Sequence, residues 1–166
     1  MKSIRTTFSA LLVAIAACGA PQDEVSVAIG SPAPSFELED LDGSAVASST
    51  YSGRPALLNF WATWCQPCLK EEPELEALAT SGQMAVVAIA LDEKGAKTVA
   101  PHVEKHRPSF DILLGDQATF ERFGGYTIPY SLLLDRQGKV LRIYRGPITR
   151  LEVEEDLRGA ATPGVS

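Results

Sequence analysis

Two near-continuous apolar runs of strand length, Pro55 to Trp61 and Met84 to Leu91, bracket a helical stretch from Gln66 to Ala79, and this pattern limits the fold more than any other feature of the chain. Runs that do not alternate with polar residues belong to strands covered on both faces of a sheet. Parallel neighbours need a crossover of about a dozen residues or more, usually a helix, and Gln66 to Ala79 supplies one. The segment therefore reads as a βαβ unit of right-handed connection in an α/β domain. With 166 residues, 45% of them hydrophobic, the chain supports one core.

Downstream, Ala96 to Arg107 and Asp116 to Phe123 read as helices flanking a short strand, Asp111 to Leu114, with Pro108 marking the end of the first helix. Ser131 to Leu134 and Val140 to Tyr144 read as a hairpin around Asp135-Arg136-Gln137-Gly138, and Thr149 to Arg158 as a closing helix. Ahead of the βαβ unit, Ser35 to Leu41 and Ala45 to Val46 suit a small hairpin around Asp42-Gly43. No internal repeat is visible.

The N-terminus has a different character. Residues 1–17 carry Lys2 and Arg5, then the apolar run Phe8 to Ala17 broken only by Ser9, and end in small residues, as an export signal does. The run is too short for a permanent membrane span. Ile15-Ala16-Ala17-Cys18 resembles a bacterial lipobox, in which Cys18 receives a diacylglycerol and becomes the first residue of the mature protein. The alternatives are cleavage after Ala20 to give a soluble secreted protein, or a Cys18 that is a free thiol of no consequence. Residues 18–28 then form the lipidated cysteine and a tether, and residues 29–166 the folded domain.

Charge narrows the partners. Fifteen Lys and Arg stand against 21 Asp and Glu, for a net charge of −6, and no basic run gives the footprint of a nucleic-acid binder. Loss of Lys2 and Arg5 with the signal changes −6 to −8, which disfavours anionic lipid headgroups. His102 and His106 are the only histidines, a poor inventory for a rich metal site, and the expectation is that they lie on a solvated helix face with no metal bound.

The chemistry is expected where the first run meets its helix. Cys65 and Cys68, two residues apart at a helix start, place both sulfurs near the helix N-terminus and within bonding reach of one another. Cys65 is expected to be exposed and Cys68 tucked behind it. Pro67 suits the first turn, whose N–H groups have no acceptors within the helix. At about 100° per residue, Cys68, Leu75 and Leu78 share one face, with Glu71 between them and Glu72 toward its edge.

Phe60-Trp61-Ala62-Thr63-Trp64-Cys65-Gln66-Pro67-Cys68, with Glu71 and Pro73 following, resembles the active-site segment of the thioredoxin superfamily, in particular its TlpA/ResA-like membrane-anchored thiol-disulfide oxidoreductases. Gly30 to Asp40 with Gly43 resembles that family's N-terminal hairpin, and Ile128-Pro129 its cis-proline loop. The resemblance implies a thioredoxin-like α/β fold with a central mixed sheet flanked by helices, an N-terminal β-hairpin and a helix-containing insertion. It also implies a catalytic pair, Cys65 and Cys68, with Glu71 behind it, and a substrate surface formed by Trp64, Gln66, Pro67, Ile128 and Pro129. Two departures stand out: Gly125 where Val or Ile is usual, expected to loosen the loop before Pro129, and Glu72 where an apolar residue is usual.

Two function classes remain open at this level. In the first, Cys65 thiolate attacks a substrate disulfide and Cys68 resolves the mixed disulfide. No flavin or nicotinamide motif is visible, so the dithiol is its own electron carrier without a further cofactor. The resemblance implies re-reduction by a membrane-embedded thiol reductant and, among clients, cytochrome c maturation factors, in a periplasm-facing lipoprotein. With Gln66 neutral and Glu71 adding negative charge, a reducing couple nearer thioredoxin's value of about −270 mV than a strong oxidant's is expected. A peroxidase is disfavoured because Ala62 and Leu58 stand three and seven residues before Cys65, where Thr and Pro would be needed. The second class is a metal carrier for copper, or a zinc module in which Cys65 and Cys68 join His102 and His106.

Overall fold

The structure is a computed structural model and describes residues 27–161; the lipobox, Cys18 and the signal segment lie outside the described residues. In chain order its elements are β1 (Glu37–Asp40), β2 (Ala45–Ala47), a 3-10 turn (Ser48–Tyr51), β3 (Ala56–Trp61), α1 (Gln66–Thr80) and β4 (Ala85–Ala90). There follow α2 (Ala96–His106), β5 (Asp111–Leu114), α3 (Gln117–Arg122), β6 (Tyr130–Leu134), β7 (Val140–Arg145) and α4 (Arg150–Ala161). The strands form one mixed sheet in the order β2-β1-β5-β4-β3-β6-β7.

The expected βαβ unit is β3-α1-β4, with Ala56 to Trp61 parallel to Ala85 to Ala90. A second, β4-α2-β5, adds a parallel strand outside it. The N-terminal hairpin extends the sheet further through β1 against β5, while β6 and β7 run antiparallel on the other side of β3. Among the described residues no helix is long and apolar enough to cross a membrane. The 3-10 turn is absent from the sequence reading because Ser48-Ser49-Thr50 carries no periodicity, and only Tyr51 anchors it in the core.

Because side chains alternate along a strand, β3 divides its residues between two layers. Leu58 and Phe60 pack on one face with Phe120, Phe123 and Tyr130, and Leu57 packs on the other with Leu75 and Leu78 of α1 and Val153 of α4. Each large apolar side chain buried in this way contributes roughly 1.5–3 kcal/mol. Asn59 and Trp61 share the α1 side with Leu57, so the alternation alone sends the one polar residue of β3 underneath α1.

Gly125 has the opposite effect to the one expected. A Cβ placed on it would lie 1.9 Å from the Phe120 ring, so the ring occupies the place that a Val or Ile side chain would fill. Phe120 is in turn held by Phe60 and Tyr130, with ring centroids 5.2 and 5.8 Å away, and the Tyr130 hydroxyl donates to the Phe123 carbonyl at 2.9 Å. The loop ahead of Pro129 is thus closed by an aromatic cluster. Gly125→Val is expected to destabilise the protein by roughly 1–3 kcal/mol through overpacking. Combined with Phe120→Ala, it should cost clearly less than the sum of the two single changes, measured by denaturant unfolding.

Candidate active site

β3 ends at Trp61, and the next few residues turn the chain into α1. Thr63 holds that turn to the end of β4: its backbone N–H donates to Asp92 Oδ2 at 3.0 Å and its hydroxyl to Asp92 Oδ1 at 2.6 Å. Cys65 is the N-cap of α1, its Sγ accepting from the Cys68 N–H at 3.3 Å, and Pro67 lies in the first turn. Cys65 and Cys68 are joined in a disulfide, with Cα atoms 5.3 Å apart.

The two cysteines do not differ in burial as the sequence reading expected. Cys65 is 5% exposed and Cys68 3%. Bonded to each other, they pack with Trp61, Ala62 and Ile128, which leaves neither sulfur standing free. They differ instead in which space they line. Cys65, with Trp64, Gln66, Pro67, Thr127 and Ile128, borders an open groove of about 1260 Å³, while Cys68 borders an inner pocket of about 10 Å³ with Asn59, Trp61, Glu72 and His102. Trp64 and Tyr126 project along the groove, 67% and 71% exposed. The Ile128-Pro129 bond is cis. Ile128 lines the groove, whereas Pro129 is not one of its wall residues.

Behind the disulfide lies a buried polar cluster. Glu71 is only 3% exposed and shares the inward face of α1 with Cys68, Leu75 and Leu78, as helix geometry requires. Asn59 Nδ2 donates to Glu71 Oε1 at 2.8 Å and to Ser131 Oγ at 2.9 Å, and the Ile148 N–H donates to Glu71 Oε2 at 3.0 Å. Burial pushes the Glu71 carboxyl above its ordinary value of 4.5, against the opposing pull of the Ile148 and Asn59 hydrogen bonds. With both amide hydrogens of Asn59 committed, its Oδ1 is left buried without a protein partner, as is Trp61 Nε1, and both residues line the pocket beside Cys68. That pocket has room for about one water molecule.

Glu72 lies at the edge of the inward face, as helix geometry placed it, and His106 is exposed as expected, whereas His102 is not. Glu72 turns toward α2, where its Oε2 meets His102 Nε2 at 3.2 Å and His106 Nδ1 at 3.4 Å. His102 is half-buried rather than solvated, its ring centroid 5.2 Å from Trp61 and 4.1 Å from His106. Among the described residues, the group of three whose ligand atoms converge is Glu72, His102 and His106, which includes neither cysteine.

A family model described as the AhpC/TSA family matches residues 29–162. The chain belongs to the AhpC/TSA family. Within it, the chain is 33% identical over 138 residues to the thioredoxin-like protein YneN of Bacillus subtilis, covering 81% of each. It is 31% identical over 170 residues to the thiol-disulfide oxidoreductase ResA of Bacillus thuringiensis, covering 95% of this chain and 98% of that one. A solved thiol:disulfide interchange protein from Chlorobium tepidum superposes with a TM-score of 0.70 at 26% identity, over 82% of this chain and all of that one. StoA from Bacillus subtilis shares the fold, with a TM-score of 0.64 at 24% identity. This AhpC/TSA protein has the thioredoxin-like fold and is a thiol-disulfide oxidoreductase.

Sequence reasoning missed Asn59, Ser131, Asp92 and Thr63. Asn59 and Ser131 each interrupt an apolar strand, and they are cross-strand partners between β3 and β6. A polar residue inside a run that must be buried was the available signal for both. Asp92 stands just past the end of a parallel strand, where α/β sheets place functional groups.

The burial of Glu71 predicts a pH signature. At low pH the carboxyl is neutral whether the chain is folded or not. As pH rises, the unfolded chain ionises first and the folded one keeps its proton longer, so Glu71 withdraws stability from 4.5 upward to its raised folded value. Glu71→Gln lacks that ionisation. The Tm of the variant minus that of wild type is expected to climb across this interval in thermal unfolding from pH 4 upward, whereas a flat difference would place the carboxyl in solvent.

Proposed function

We propose that this protein is an extracytoplasmic reductase of protein disulfides, tethered to a membrane through a lipidated Cys18 and recharged by a membrane-embedded thiol reductant. The observation that carries the redox part is the position of the Cys65–Cys68 disulfide between an open groove and a small inner pocket. The groove, about 1260 Å³, is larger and more open than a small-molecule site, and exposed Trp64 and Tyr126 give an extended client segment apolar purchase. Ile128, Gln66 and Pro67 complete the docking surface, with Pro129 setting the path of the loop that presents Ile128.

In the reducing direction, Cys65 thiolate attacks one sulfur of a client disulfide and expels the other as a thiolate. The α1 N-terminus favours that anion. Cys68 then loses its proton and attacks Cys65 Sγ, closing the enzyme disulfide and releasing the second client thiolate, so two electrons pass to the client. Cys68 is not a wall residue of the groove, and its proton goes to the carboxylate of Glu71, which shares the inward face of α1 with it. A carboxyl raised by burial is a better acceptor for a thiol proton than an ordinary glutamate. The negative charge of Glu71 also disfavours thiolates and keeps the couple reducing.

The sequence supports the cellular setting: an export-type segment, a lipobox-like Ile15-Ala16-Ala17-Cys18 and a polar tether to residue 28. Cytochrome c maturation factors are the clients proposed for such an anchored reductase.

The dithiol form is expected to reduce insulin disulfides, and Cys68→Ala to accumulate mixed disulfides that Cys65→Ala does not form. Equal trapping by both variants would overturn the assignment of roles. For the address, wild type should fractionate with membranes and incorporate a labelled fatty acid, while Cys18→Ala should do neither yet retain insulin reductase activity once purified. An unlabelled, soluble wild-type protein would remove the anchor.

A further inference from the structure

We propose that Glu72, His102 and His106 form a binding site for a borderline divalent transition-metal ion, such as Zn²⁺ or Ni²⁺, with neither redox cysteine among its ligands. The spacing of the histidines on α2 brings both imidazoles to one face. α1 turns Glu72 to meet them. One carboxylate oxygen, Glu72 Oε2, lies 3.2 Å from His102 Nε2 and 3.4 Å from His106 Nδ1, and all the ligand atoms lie within 4.8 Å of one another. An ion with bonds of about 2.0–2.1 Å in tetrahedral array needs neighbouring ligand atoms about 3.4 Å apart, so these side chains need little movement to bind one.

The donor set decides the class of ion. Two imidazoles and one carboxylate suit Zn²⁺, Ni²⁺ and Cu²⁺, whereas Ca²⁺ and Mg²⁺ prefer six or more oxygens. Three protein ligands leave a position for water, and His106, 37% exposed, opens the site to solvent. His102 packs against Trp61 with ring centroids 5.2 Å apart, which orients its imidazole and places an indole reporter beside the metal position. The α1–α2 origin of the ligands means that the ion would tie together two helices flanking the βαβ units.

The test uses the oxidised protein, so that the closed Cys65–Cys68 disulfide offers no thiolate to the metal. After treatment with a chelator and its removal, Zn²⁺ is titrated by calorimetry. Separately, Ni²⁺ is titrated against the fluorescence of Trp64→Phe, in which Trp61 is the remaining tryptophan. One equivalent of Zn²⁺ is expected to bind, Ni²⁺ to quench Trp61 saturably, and a hundredfold excess of Mg²⁺ or Ca²⁺ not to compete. His102→Ala and Glu72→Gln should each weaken Zn²⁺ binding at least tenfold. His106→Ala, at the exposed end of α2, should do the same with an unchanged circular dichroism spectrum. No saturable binding to the oxidised wild type, binding undiminished in these variants, or equal competition by Mg²⁺ would overturn the site. None of these outcomes bears on disulfide reduction.

Discussion

A buried carboxylate is the point on which the active half of this molecule turns. Glu71 is taken out of water and held by one donor from β3 and one from the segment entering α4, so a single side chain links the central sheet, the cysteine helix and the closing helix. Removing a charged group from water costs several kcal/mol unless hydrogen bonds compensate, and the upward shift of its pKa shows that compensation is incomplete. In the proposed mechanism, a carboxyl that holds its proton longer exchanges one with the resolving thiol. The hydrophobic layers around it, Leu57, Leu75 and Leu78 among them, supply the packing that keeps it there.

The disulfide separates two environments. On one side an open groove with two exposed aromatics meets Cys65, and on the other a pocket for about one water meets Cys68. The proposed mechanism uses this difference: its nucleophile must reach a client, while its resolving thiol is shielded from the client and loses a proton. The turn that holds both is kept in place from β4 by Asp92, whose carboxylate accepts two hydrogen bonds from Thr63. Loop and helix are therefore positioned by two neighbouring parallel strands.

Local signals carried much of this. The βαβ unit and the later hairpin were legible because continuous apolar runs, helix periodicity and turn residues agreed. The inward position of Glu71 was legible because 100° per residue places it between Cys68 and Leu75. Three expectations failed where the answer depended on a distant partner. Gly125 was read as a loosening of its loop, yet the Phe120 ring fills its missing side chain. Cys65 was read as exposed, yet it is buried in a cluster with Trp61, Ala62 and Cys68, against which Ile128, far along the chain, packs. His102 was read as solvated, yet it packs against Trp61 and meets Glu72 of α1, while His106 is exposed as expected.

By itself the sequence determined the main strands and helices, their order and the residue types of the redox pair, because these depend on the backbone's two periodicities and on side chains a few residues apart. Tertiary structure decided which polar residues meet. Asn59 lies 12 positions before Glu71, and Ile148 lies 77 positions after it. No local rule joins residues at such separations. Their meeting follows from strand alternation, which turns Asn59 under α1, and from sheet order, which brings β6 beside β3 and returns the chain to α4 over the same face.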